Sequence, residues 1–219
     1  MIDPTAIAVL LAPVQGPKSP SLPRDFMAGA TSEEILGFWD IAPLKNVPNL
    51  QIKTDAKKYK WFDFASVESF SPIMSRRMFD FLHAMHPFKH QLYPVDVVSA
   101  ATGELIPPPA EDRSYILVQV LEVLDVLNAE QSTWRPSPID PKEIGSVDRM
   151  VINLPKGGLP PVFRLTVLRG IGLFANKAAY AALHAARFTG VAASQVVYAA
   201  TNAPKPTFWQ RLFRRRKGK

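Results

Sequence analysis

His83, His86 and His90 fall within eight consecutive residues, and imidazoles three apart on a helix can share a divalent metal. Pro87 breaks a helix between the second and third of them, and no carboxylate stands in the run. The pattern therefore reads as a helix C-terminus, where imidazole meets free carbonyls and the negative end of the dipole. Glu122 and Asp125 have the spacing of a general acid and base. Both stand where a strong apolar strand runs out into a turn, and that reading is adopted for them. Gly170-Ile171-Gly172 begins like a dinucleotide loop, but Asn or Ala occupies the third glycine's place. Gly157-Gly158 has no Lys-Ser/Thr after it, and no serine sits in a Gly-x-Ser-x-Gly elbow. The chain has no cysteine, which excludes thiolate catalysis, thiolate metal sites and disulfides. These residues predict a protein that is not an enzyme and that carries no metal or cofactor.

Binding chemistry is more visible. Between Glu104 and Asp148 stand Glu104, Glu111, Asp112, Glu122, Asp125, Glu130, Asp140, Glu143 and Asp148, opposed by Arg113, Arg135 and Lys142 alone. Two proline-rich stretches in this segment, 104–113 and 131–143, read as loops flanking the strongest strand. They hold Glu104, Glu111, Asp112, Asp140 and Glu143, with Trp134 and Arg135 as anchors of the type that dominates protein interfaces. The competing reading is that both loops are solvated connections and Trp134 packs beneath one. The functional expectation is a surface suited to a basic groove on a partner protein.

A second candidate lies at the C-terminus. The formal net charge is +7, yet Arg211, Arg214, Arg215, Arg216, Lys217 and Lys219 supply six of the 26 basic residues; the remaining 20 nearly balance 19 acids. The high pI therefore belongs to a tail, not to a nucleic-acid-binding domain. Thr207 can cap a short helix with Phe208, Trp209, Leu212 and Phe213 along one side and Arg211, Arg214, Arg215 and Arg216 around it. That pattern suits an anionic membrane surface or nucleic-acid phosphate, with a frayed, solvated terminus as the plain alternative.

The elements that must position these residues are cut out by 21 prolines. Helices are expected at 32–39, at 76–85 behind a Ser75 cap, and at 177–188 behind Asn176, with Gly190 closing the last. Ala178, Ala182, Ala185 and Ala186 give that last helix a thin side for close approach to a sheet. Strands are expected at 50–54, 92–98, 115–123, 147–154, 162–168 and 191–198, with a turn of helix at 124–128. Residues 155–161 read as a loop, with a hairpin as one option. The class is α+β: a single mixed, largely antiparallel sheet of about six strands with two main helices packed on it. Residues 1–203 read as one domain and 204–219 as a basic amphipathic tail. No internal repeat is apparent. The apolar run 6–12 lacks the basic flank of a signal peptide and the roughly 20 residues of a membrane span. A soluble, cytoplasmic protein is expected, peripheral at the inner membrane if the tail engages it.

Four segments carry a family resemblance. They are Pro72-Ile73-Met74-Ser75-Arg76-Arg77-Met78-Phe79-Asp80-Phe81-Leu82, then Gln91-Leu92-Tyr93-Pro94-Val95-Asp96-Val97, then the run from Tyr115 to Asn128 with Ser132 beyond it. The fourth is Phe163-Arg164-Leu165, followed by Leu173-Phe174-Ala175-Asn176 and by Phe188-Thr189-Gly190-Val191. In this order they resemble family eleven of the bacterial polymorphic-toxin immunity proteins, whose founding domain is myxobacterial. The resemblance spans 50–198 and leaves out the basic tail; the helix behind Asn176 also lacks the family's usual serine and acid. It implies an immunity protein that binds and neutralises a cognate toxin domain, with no catalytic residues. The alternative from the residues alone is a peripheral membrane or nucleic-acid-binding accessory protein acting through its tail.

Overall fold

The computed structural model describes residues 5–13, 50–57, 59–65, 72–138, 141, 144–166 and 172–200. The apolar run near the N-terminus forms strand β1, Ala6–Pro13. Ala8, Val9, Leu10 and Leu11 are all buried, as a strand covered on both faces requires. Among the described residues ten further strands follow: β2 Leu50–Thr54, β3 Ile73–Ser75, β4 His90–Ser99, β5 Tyr115–Val120, β6 Val123–Leu124, β7 Thr133–Pro136, β8 Ile144–Ile152, β9 Val162–Leu165, β10 Phe174–Asn176 and β11 Val191–Ala199. Helix α1 spans Arg76–Met85 and helix α2 spans Lys177–Ala185.

The strands make two sheets, not the single six-stranded sheet expected. One has seven strands in the order β6-β9-β10-β1-β11-β8-β7, and the other has four in the order β2-β4-β5-β3. Both are mixed and mainly antiparallel; β2–β4, β8–β11 and β6–β9 are the parallel pairs. Two causes separate expectation from structure. The N-terminal run, nearly all apolar, has no alternation to mark it as a strand. Strands β3 and β10 hold three residues each and abut their helices, so no period can show. The expected turn of helix at 124–128 is instead β6 followed by a bridge from Leu127 to Ile152. The loop 155–161 is not a hairpin, because β9 pairs with β10 and β6 while β8 pairs with β11 and β7. The expected helix at 32–39 lies outside the described residues.

Both helices are capped as their sequences dictate. Ser75 Oγ accepts from the Met78 amide at 3.3 Å, and Asn176 Oδ1 accepts from the Ala179 amide at 2.8 Å. Helix α1 buries Met78, Phe79 and Leu82. Helix α2 buries Ala179 and Leu183, whereas Ala178, Ala185 and Ala186 of the expected thin side are exposed. It ends earlier than expected, and Arg187 at φ 57° takes the left-handed place after it; Gly190, at φ 81°, serves a later turn.

Among the described residues the buried apolar side chains form three clusters. The central one joins α1 and α2 to one face of each sheet, through Val9 and Leu11 of β1 and Ile116 and Val118 of β5. The outer faces carry the other two, around Leu117 and Ile73 in the four-stranded sheet and around Leu10 and Phe174 in the seven-stranded sheet. Strand β5, six residues all buried, lies between β3 and β4. Among the described residues no helix is long and apolar enough to cross a membrane.

Candidate functional site

Strands β7 and β8 form a hairpin arm. They pair from Thr133↔Arg149 to Pro136↔Ile144, while the ladder from β8 to β11 takes only Met150, Val151 and Ile152. Strand β7 is the edge strand of the seven-stranded sheet, with all four residues exposed, while Val147 and Ile144 of β8 still pack on the third apolar cluster and Gln195 Nε2 of β11 donates to the Val147 carbonyl at 2.6 Å. The segment read as an irregular loop at 131–143 is thus partly strand. Its register shifts between Arg135 and Pro136, and a side chain at Gly145 would stand 2.6 Å from the Ser137 Cα, so glycine alone permits this approach. The base of the arm is pinned by Ser132: its Oγ donates to the Val151 carbonyl at 3.1 Å and accepts from the Val151 amide at 3.0 Å.

On this arm Trp134 is 37% exposed. Its Nε1–H donates to the Ala129 carbonyl at 3.3 Å, which lays the partly exposed indole against the preceding turn. Arg135 reaches across to Asp148, with Nη2 to Oδ1 at 3.1 Å and Nε to Oδ2 at 3.3 Å. Both partners are solvated, so the pair orients the guanidinium more than it stabilises the fold.

The acidic residues stand on the other sheet, along the connection from β4 to β5. Glu104 is exposed and tied into its turn, its Oε2 accepting from Thr102 Oγ1 at 3.1 Å. Glu111 and Asp112 occupy a single 3-10 turn, Glu111–Arg113. With Arg76 and Ser114 they line an open depression of about 570 Å3 at the start of α1. The Arg76 amide is bonded to the Ser114 carbonyl at 2.9 Å, which fixes that turn to the helix. The structure thus brings Glu111 and Asp112 together and places Trp134 beside Arg135, on two different sheets. Asp140 and Glu143 lie outside the described residues, as do Trp209, Arg211, Arg214, Arg215 and Arg216 of the tail.

His83 lies in the last turn of α1 and His86 is its C-cap, the helix C-terminus expected for them. His83 and His90 have ring centroids 4.9 Å apart and join Phe79 and Phe88 in one aromatic group. His90 Nδ1 is 2.8 Å from the Phe88 carbonyl, an acceptor, so that nitrogen carries the proton. His86 is exposed, and among the described residues no group of three or more His, Asp or Glu is placed to hold a metal ion. Glu122 and Asp125 flank the two residues of β6, the first half-buried and the second exposed.

A buried carboxylate lies apart from the expected site residues. Asp63 is 1% exposed, and its carboxylate accepts from Arg77 Nε and Nη2, both at 2.6 Å, from Ser75 Oγ at 3.0 Å, and from the Thr189 amide and hydroxyl at 2.8 and 2.9 Å. Burial pushes its pKa up, but the bonds from Arg77, Thr189 and Ser75 outweigh that and hold it down to about 2. The guanidinium of Arg77 also lies 4.9 Å from the centre of the Phe188 ring. The signal was a lone acid inside the aromatic run Trp61-Phe62-Asp63-Phe64. With every partner satisfied, Asp63 acts as a clasp between the start of α1 and the turn after α2.

Compared with known proteins, the chain matches no family model, and no curated protein shows significant similarity to it.

Proposed function

We propose that this chain is an immunity protein that binds and neutralises a cognate bacterial toxin domain without catalysis of its own. The observation that carries the reading is the exposed edge strand β7, which presents a partly exposed indole and a guanidinium oriented by Asp148. Trp and Arg are the side chains that most often anchor protein interfaces, and a guanidinium already oriented by Asp148 loses less freedom on docking. The acidic turn at Glu111 and Asp112 adds charge that suits a basic toxin groove and speeds encounter. The order of sequence segments resembling immunity family eleven points the same way.

The test uses the product of the gene adjacent to this chain's own gene. Mixed with the full chain, it should form a 1:1 complex by size-exclusion chromatography and calorimetry. A variant lacking the last twelve residues should bind it equally well. Absence of a complex overturns the proposal; loss of binding on truncation alone moves the activity to the tail.

A further inference from the structure

We infer that the chain is a tandem duplication of one β-α-β module, and that the two copies have exchanged their first strands. Strand β3, helix α1 and strand β4 begin at residues 73, 76 and 90; strand β10, helix α2 and strand β11 begin at 174, 177 and 191, each 101 positions later. In both cases the two strands run parallel with a gap between them, and a single antiparallel strand fills the gap. Strand β5 fills the first, and β1 fills the second.

The registers of the first strand of each copy against the gap-filling strand agree residue by residue. Ile73 and Met74 face Leu117 and Ile116; Phe174 and Ala175 face Leu10 and Val9. Beyond the ladders, the Val118 amide bonds to the Pro72 carbonyl at 3.0 Å and the Leu11 amide to the Leu173 carbonyl at 2.8 Å. The cap residues repeat the pattern, with the Ser75 amide on the Asp63 carbonyl at 2.7 Å and the Asn176 amide on the Pro161 carbonyl at 2.9 Å. On the far side, Leu50 and Ile52 pair in parallel with Val95 and Val97, as Met150 and Ile152 do with Val197 and Ala199. Bulges between β1 and β11 absorb the one-residue difference.

The faces agree as well. Val9 and Ile116 both point into the central cluster, as do Met78 and Ala179, and Leu82 and Leu183. Leu117 and Leu10 both point outward, each into its own sheet's cluster. A shared topology would not by itself require matched registers, matched caps and matched faces. In sequence the longest run of identities at this spacing is Leu82-His83-Ala84 against Leu183-His184-Ala185, too short to detect.

The order of the strands then dictates the exchange. Strand β1 opens the first copy but completes the sheet of the second, and β5 opens the second copy but completes the sheet of the first. Neither half of the chain contains its own central strand. The Asp63 clasp onto Thr189 ties the copies together at one point; the equivalent positions, Pro161 and Phe88, carry no such pair.

The cysteine-free chain allows a direct test by disulfide trapping. Opposed residues on antiparallel strands have Cα atoms about 4.5–5.5 Å apart, within reach of a disulfide. Val9→Cys with Ala175→Cys, and Met74→Cys with Ile116→Cys, should close on mild oxidation of the full chain, as mapped by mass spectrometry. Val9→Cys with Met74→Cys, and Ile116→Cys with Ala175→Cys, should stay open. Closure of the second two pairs overturns the exchange, and closure of only one of the first two overturns the equivalence. Should a variant fail to fold, the cross-strand nuclear Overhauser contacts of Val9 and Ile116 in the unmodified chain decide: Ala175 and Met74 respectively support the inference, and the reverse assignment ends it.

Discussion

Arg77 grips Asp63 through two parallel contacts of 2.6 Å, Nε to Oδ1 and Nη2 to Oδ2, at a carboxylate that is 1% exposed. The remaining acceptor capacity goes to Ser75 and to Thr189, 126 residues away in sequence. A buried, doubly bonded ion pair contributes little over an apolar replacement, but losing one partner strands the other. Asp63→Asn keeps the shape and removes the charge. It should cost about 2–4 kcal/mol in urea unfolding at pH 7. A loss below about 0.5 kcal/mol would show that the clasp is not a fastening.

The same group sets an acid limit. Asp63 titrates at about 2 in the folded chain against 3.8 ordinarily, so the unfolded chain takes up the proton first as pH falls. Its contribution is complete above about pH 5 and is lost progressively as pH falls through about 2, amounting to about 2 kcal/mol. Unfolding curves at pH 7, 4 and 2 should show this loss in the native chain and not in Asp63→Asn. Parallel pH profiles for the two would contradict the assignment.

Gly190 presses against the segment that carries Asp63. Its φ of 81° is left-handed, and an added Cβ would stand 2.4 Å from the Phe64 carbonyl oxygen. Gly190→Ala should therefore destabilise by about 2 kcal/mol or more, through backbone strain and displacement of the 62–64 segment. An unchanged melting temperature would mean that the turn yields freely.

Val118 lies in the middle of β5, wholly buried in the central cluster. Val118→Ala should cost about 2–4 kcal/mol from lost burial and an unfilled cavity. A change below about 0.5 kcal/mol would place that strand at an edge.

How much of this was legible in the sequence follows from what each residue must do locally. Phe79, Leu82, Ile116, Val118, Val120, Ile152, Phe163, Leu165, Leu183 and Val197 stand in the expected helices and strands where periodicity and run length predict burial, and all ten are buried. Ser75 and Asn176 were read as caps because a cap is a local bond. The second sheet was hidden because β3 and β10 are too short to show a period, and because β1 lies far in sequence from the strands it joins. At the candidate site, Glu111 with Asp112 and Trp134 with Arg135 were found by type. Their separation onto two sheets was not, since strand order is a long-range property. Asp63 was missed because its partners Arg77 and Thr189 lie 14 and 126 residues away.

Two variants separate the arm from the acidic turn. Trp134→Ala should weaken the complex with the adjacent gene's product at least tenfold, about 1.4 kcal/mol. Glu111→Lys with Asp112→Lys should slow association and reduce its dependence on salt. Circular dichroism must first confirm that both are folded. If neither shifts the dissociation constant tenfold, the interface lies elsewhere.

The most direct test of toxin neutralisation is growth. The product of the adjacent gene is expressed in a bacterial host with and without this chain. The account predicts growth arrest by the first alone, full rescue by the native chain or by a form lacking the last twelve residues, and weaker rescue by Trp134→Ala. Arrest that persists with the native chain present at matched expression, or no arrest from the adjacent product at all, would contradict it.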